Sequence, residues 1–135
     1  MSEKEFHLLI LTPYGRYFEG DVSFLNVFSE KYNLGIYAGH AELISTVDIC
    51  KMTIRIQNRE YIDAVGGGAI KIGKDKITLL LNSVERNDEI DIERAKEAKK
   101  RAEDRLNSEN KQEIDVNRAK LALLRAVNRI NIGEN

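Results

Sequence analysis

The sequence predicts an α+β chain: an N-terminal β-sandwich of the flattened-barrel kind, followed by a C-terminal antiparallel two-helix hairpin. Three observations predict it. Through the first two thirds, short runs of β-branched and aromatic residues are separated by turn signals at regular intervals, the pattern of a small sandwich or barrel. After Glu85 neither Pro nor Gly occurs until Gly133. Within that stretch Ile90-Asp91-Ile92-Glu93-Arg94-Ala95-Lys96 is nearly repeated as Ile114-Asp115-Val116-Asn117-Arg118-Ala119-Lys120, so two helices with similar starts follow one another. The expected division is 1-86 for the β domain and 87-135 for the hairpin.

The strands come first. Phe6 to Leu11 is apolar and ends at Thr12-Pro13-Tyr14-Gly15, a turn signature. Val22 to Phe28 is rich in β-branched and aromatic residues. Cys50 to Ile56 alternates, with Met52, Ile54 and Ile56 on one side. Tyr61 to Val65 is a further strand, and Ala69 to Ile72 and Ile77 to Val84 flank the hairpin-type turn Gly73-Lys74-Asp75-Lys76. Gly66-Gly67-Gly68 falls between two strands. A phosphate cradle needs a strand-loop-helix context, so these glycines read as a bulge or a close backbone approach.

Asp91 is the expected cap of a helix running to about Leu106. Asn107-Ser108-Glu109-Asn110 breaks it, and Asp115 is the expected cap of a second helix to about Ile130. The short connection implies an antiparallel pair. Its apolar seam is thin: Ile92, Ala95, Ala102 and Leu106 on the first helix, and Val116, Ala119, Leu123, Ala126, Val127 and Ile130 on the second. Alanine buries little area, and burial is worth only about 25 cal/mol per Å². Helices of about 15 residues are marginal alone. The hairpin is therefore expected to be weakly held and able to dock, undock or extend on a rigid β domain.

Composition narrows the function. With 42% hydrophobic and 32% charged residues and a net charge of −1, the chain reads as globular with no global field toward nucleic acid or anionic membrane. The single Cys50 excludes an internal disulfide and fits a reducing compartment. The acidic start Met-Ser-Glu-Lys-Glu shows no signal peptide, and the run Leu8 to Leu11 is far shorter than the roughly 20 residues of a membrane span. Any membrane association is expected to go through a partner. His7 and His40 are the only histidines, and neither shares a ligand spacing with Cys50. No nucleophile with a base and no carboxylate pair with a catalytic role is visible, so no catalytic residue, metal or required cofactor is expected. A free-standing small-molecule or nucleotide-binding module is the alternative reading, and it would need a deep apolar pocket.

Several motifs fall in a recognisable order: Leu11-Thr12-Pro13 followed by Phe18-Glu19-Gly20-Asp21-Val22, then Leu34-Gly35-Ile36-Tyr37-Ala38-Gly39-His40-Ala41, Gly66-Gly67-Gly68, and Val84-Glu85-Arg86 with Ile90-Asp91. In this order and spacing the chain resembles the epsilon family of bacterial-type rotary ATP synthases over nearly its whole length. Ala38 and Glu42 replace two loop prolines of that family, and Asn33 stands where Glu is common, which implies a softer loop and altered rotor contacts.

The resemblance implies a non-catalytic coupling and regulatory subunit of the central stalk. The β domain would sit at the foot of the gamma subunit and touch the ring of c subunits, so that ion flow drives rotation and ATP synthesis. The hairpin would restrain ATP hydrolysis when extended toward the alpha and beta subunits. The complex implies a peripheral position at the cytoplasmic face of the plasma (inner) membrane. Partner contacts are implied for Asn33, His40, Arg118, Arg125 and Arg129. Some members of the family bind ATP as a regulatory ligand through a motif beginning Ile-Asp-x-x-Arg-Ala. Glu85, Ile90, Asp91, Arg94, Ala95, Arg101, Arg125 and Arg129 fill its positions here. Read without the resemblance, Arg94, Arg101 and Arg105 on one helical face, and Arg118, Arg125 and Arg129 on another, are solvated basic stripes lying to the side of the apolar seams. From Val116 to Gly133 there is no acidic residue, so the second helix is a cationic rod.

Overall fold

The computed structural model describes residues 4–108 and 112–134. The chain divides into two compact units, Met1–Arg86 and Asn87–Asn135.

Among its described residues the first unit contains eight strands: β1 (Phe6–Thr12), β2 (Gly15–Val22), β3 (Phe24–Ser29), β4 (Tyr32–Ile36), β5 (Leu43–Ile56), β6 (Arg59–Ile72), β7 (Lys76–Leu81) and β8 (Val84–Arg86). Their order is β2-β1-β7-β6-β5-β3-β4, with β8 also paired to β6. Every pairing is antiparallel except β1 with β7. Alternation along the strands builds the core. Leu8 and Ile10 of β1, Met52 and Ile54 of β5, Ile70 and Ile72 of β6, and Ile77, Leu79 and Leu81 of β7 all turn inward and are buried. A strand that shows one face inward and one outward is what a sandwich requires.

The structure adds strands and joins others. β2 and β4 lie outside the expected runs, and the run Val22 to Phe28 is interrupted. Ser23 separates β2 from β3, its N–H donating to the Arg55 carbonyl at 2.9 Å. Tyr61 to Val65 and Ala69 to Ile72 are one strand, so the three glycines lie inside β6. The β5–β6 register is unbroken on either side of them, from Leu43↔Ile72 to Ile56↔Arg59, so they form a close approach without a bulge. A Cβ on Gly68 would stand 2.0 Å from the Leu80 carbonyl oxygen, and one on Gly66 the same distance from Ser83 Oγ. The expected run Ile77 to Val84 is likewise split, into β7 and β8.

Two hairpins turn on pairs of left-handed residues, Glu30-Lys31 between β3 and β4 and Gln57-Asn58 between β5 and β6. Neither pair contains the glycine that such turns favour. At Glu30-Lys31 the Asp48 carboxylate compensates by accepting from both backbone N–H groups, at 3.0 and 2.8 Å.

In the second unit a single turn of 3₁₀ helix, Asn87–Glu89, precedes α1 (Ile92–Leu106). Asp91 caps α1 as expected, its carboxylate accepting from the Arg94 N–H at 3.1 Å. The second helix, α2, runs over Glu113–Gly133. Asp115 is therefore inside α2 and is not its cap. That position belongs to Gln112, which makes no side-chain capping bond. The chain keeps helical geometry past Ile130 because Ile132 is buried and Gly133 admits close contact: a Cβ there would stand 3.1 Å from both Ile90 Cγ2 and Ile92 Cγ1. That contact and the Lys96–Glu134 ion pair at 3.6 Å put the end of α2 beside the start of α1, the antiparallel arrangement. Glu109 and Asn110 of the expected helix break lie outside the described residues.

Candidate functional site

The hairpin seam is built from small residues. Ala95, Ala102, Ala119 and Ala126 are at most 2% exposed, whereas Ile92, Leu106, Val116, Leu123, Val127 and Ile130 are only half-buried along its margins. Truncated side chains at the centre let the two backbones approach closely but leave little apolar area to separate from water. Leu121 and Leu124 project outward from α2, 44% and 56% exposed.

The arginines flank this seam. Arg94, Arg101, Arg105 and Arg118 are exposed, while Arg125 and Arg129 are half-buried at the seam's edge. Antiparallel pairing brings Arg94 and Arg129 toward the same end of the hairpin. Arg101 and Arg125 lie at similar height near its middle. Arginines from the two helices thus occupy two levels along the hairpin, and a guanidinium offers a forked pair of donors that suits phosphate oxygens. Asp91 sits at the Arg94 end, with one carboxylate oxygen committed to the helix cap. Ile90 and Ala95 are buried and shape this end by packing. Glu85 belongs to β8 in the first unit and is half-buried.

The remaining expected partner residues lie in the first unit. Asn33 is exposed on β4 and its side-chain carbonyl accepts from the Asn26 amide. His40 is exposed in the loop after β4. Its N–H donates to the Tyr37 carbonyl at 3.3 Å, and its Nδ1 lies 2.9 Å from the Ala41 carbonyl oxygen. Gly39 beside it has φ +84°, and the Tyr37 ring packs on Phe24 with centroids 4.8 Å apart. The groove between this loop, Phe6 and the β6–β7 turn encloses only about 20 Å³, too little for an organic ligand.

Sequence reasoning did not single out the exposed apolar residues of this unit, Tyr14, Tyr32, Ile44 and Leu80, each more than half exposed. A signal was available for Leu80, which occupies an outward position between the buried Leu79 and Leu81, whereas Ile44 follows the likewise exposed Leu43 and breaks no alternation. Tyr32 could not be placed before the Glu30-Lys31 turn was known.

Burial pushes the Cys50 thiol up to about 11, so it is not a thiolate nucleophile at neutral pH. Among the described residues no group of three His, Cys, Asp or Glu side chains is disposed to hold a metal ion. No helix among them is long and apolar enough to cross a membrane.

Comparison with known proteins divides along the same boundary. Residues 5–87 match the beta-sandwich domain of the ATP synthase delta/epsilon chain, and residues 88–134 match its long alpha-helix domain. The ATP synthase epsilon chain of Pelotomaculum thermopropionicum is 41% identical over 106 residues, covering 78% of this chain and 79% of that one. The ATP synthase epsilon chain of Bacillus pumilus is 38% identical over 101 residues, covering 75% and 77%. Among solved structures, a chain of the Euglena gracilis mitochondrial ATP synthase (OSCP/F1/c-ring) superposes with a TM-score of 0.77 at 14% identity, covering 92% of this chain and 79% of that one. One from the Tetrahymena thermophila mitochondrial ATP synthase central stalk and c-ring gives 0.69 at 11%, covering 98% and 99%. At those identities the likeness is one of fold.

Proposed function

Since the chain belongs to the ATP synthase epsilon family in both its β-sandwich and its helical part, we propose that it acts as the non-catalytic epsilon subunit of a rotary ATP synthase, coupling ion translocation to ATP synthesis and restraining ATP hydrolysis. The observation that carries this reading is the coincidence of two family domains with two structural units in one chain. The β-sandwich binds the gamma subunit and the c-ring, and through them the chain is peripheral to the cytoplasmic face of the membrane. The solved structures of similar fold come from ATP synthase assemblies that include the c-ring, the Tetrahymena one being its central stalk and c-ring.

The brake is assigned to the hairpin. An alanine-centred seam costs little to open, which supports a contracted form in exchange with an extended one. In the extended form α2 meets the alpha and beta subunits as a cationic rod. ATP opposes extension by bridging Asp91, Arg94, Arg101, Arg125 and Arg129 in the contracted form, as a regulatory ligand that is not hydrolysed. Each partner shifts the equilibrium only by its differential affinity for the two forms. The test is purification of the complex through its gamma subunit. Co-elution of this chain is expected, with ATP hydrolysis rising when it is stripped. A gamma preparation that never retains the chain overturns the assignment.

A further inference from the structure

Both ring nitrogens of His7 meet carboxylates of the neighbouring strand. Nε2 lies 2.8 Å from Glu19 Oε2, and Nδ1 lies 3.2 Å from Asp21 Oδ1. A neutral imidazole carries one N–H, so it can donate to only one of them, leaving a lone pair facing the other carboxylate. Only the imidazolium donates on both sides. The geometry is therefore that of the protonated ring.

Glu19 is held further by Arg16, whose Nη1 is 2.8 Å from its other oxygen, whereas Asp21 is 66% exposed. The remaining charged neighbours are Lys76, opposite His7 in the parallel register with β7, and Glu5, just before β1. β2 ends the strand order, so it is tied to the sheet through β1 by the ladder Phe6↔Val22 to Thr12↔Gly15. An edge strand held on one side opens more readily than one paired on both.

We propose that His7 is a proton-operated clasp on the edge strand β2: the imidazolium ties both Glu19 and Asp21 to β1, and loss of the proton releases the Asp21 end. Glu19 stays with Arg16, so opening begins at Gly20–Val22, where the chain leaves for β3.

The electrostatics agree in direction. Hydrogen bonding to Glu19 first, then to Asp21, raises the His7 pKa above its ordinary 6.5. Hydrogen bonding to His7 first, then to Arg16, lowers that of Glu19. A folded-state value raised above the unfolded one stabilises fully below 6.5 and is lost as pH rises through the folded midpoint. The clasp thus closes as pH falls through a midpoint above 6.5, while Glu19 stays ionised.

The test is NMR on the full chain, combining ring ¹⁵N shifts of His7 with amide exchange of β2 corrected for its intrinsic pH dependence. The expected midpoint lies above 6.5, with both ring nitrogens protonated below it. Protection at Gly20–Val22 should fall several-fold above the midpoint. The Glu19→Gln/Asp21→Asn variant should lower the midpoint, and His7→Gln should abolish the pH step in protection without unfolding the sheet. A midpoint at or below 6.5, or β2 protection that does not change across it, overturns the clasp.

Discussion

Arg86 Nε stands 2.8 Å from the carboxylate of Asp63, the one ionisable side chain among the described residues that is both charged and 0% exposed. The two face each other across the β6–β8 ladder. The Tyr17 hydroxyl donates to the same carboxylate at 3.4 Å, and the guanidinium lies 4.7 Å from the centroid of the Tyr61 ring. This pair fixes β8, the last and shortest strand, to the sandwich. Removing one partner strands a buried charge, so Arg86→Met should destabilise the chain by about 3 kcal/mol. Replacing both, as Asp63→Leu/Arg86→Met, should recover most of that loss, since apolar replacement of a whole buried pair is often close to neutral. Denaturant unfolding of the single and double variants checks the sign of the coupling.

The β3–β4 turn depends on a side chain from β5. Without its two hydrogen bonds from Glu30 and Lys31, the left-handed backbone at those residues has no external support. Asp48→Ala should cost about 1–3 kcal/mol. Lys31→Gly, at φ +70°, should instead stabilise by roughly 1 kcal/mol, because glycine accepts that conformation without the Cβ penalty. Midpoints from urea titration separate the two effects.

The architecture was legible where local chemistry and periodicity agree, and illegible where pairing partners decide. Asp91 capping α1 needs only the residue and its next turn, and the sequence contains both. Alternation marked the second half of β5, an apolar run ending at a turn signature marked β1, and the turn Gly73-Lys74-Asp75-Lys76 marked the start of β7. β2 and β4 were not legible: Gly15–Val22 carries charged residues among its apolar ones, and the β3–β4 turn has no glycine. Asp115 reads as a cap because it repeats the position of Asp91, but the helix had already begun at Glu113. In the candidate site, the arginines were visible as stripes. Their arrangement at two levels depends on which ends of the helices meet, and that is set by Gly133 against Ile90 and Ile92.

Crowding at the glycines of β6 gives a paired test. Gly66→Ala places a methyl 2.0 Å from Ser83 Oγ, a side-chain atom, whereas Gly68→Ala places one 2.0 Å from the Leu80 carbonyl, which is backbone. Adding Ser83→Gly to Gly66→Ala should restore much of the lost stability. No second substitution of a side chain at Leu80 should rescue Gly68→Ala. Thermal unfolding of the four proteins distinguishes the cases.

Cys50 provides a probe of the sandwich. Burial holds its pKa at about 11 against an ordinary 9.0, so the folded protein keeps the thiol neutral where the unfolded chain ionises. Below pH 9.0 this stabilisation is fully present, and it is lost as pH rises toward about 11. Labelling by a thiol reagent at pH 8 should therefore occur only at the rate of unfolding. Fast stoichiometric labelling of the native chain would contradict the buried placement.

The brake makes the most direct demand on the proposed function. The measurement is ATP hydrolysis by the complex assembled with the intact chain and with the chain ended after Asn107. The truncated chain keeps the sandwich and lacks the cationic helix Glu113–Gly133. We expect equal assembly and faster hydrolysis with the truncated chain. Arg118→Ala/Arg125→Ala/Arg129→Ala should have a similar effect, and inhibition by the intact chain should weaken as salt screens the helix's charge. Hydrolysis unchanged by both the truncation and the triple substitution, in fully assembled complexes, would contradict the account.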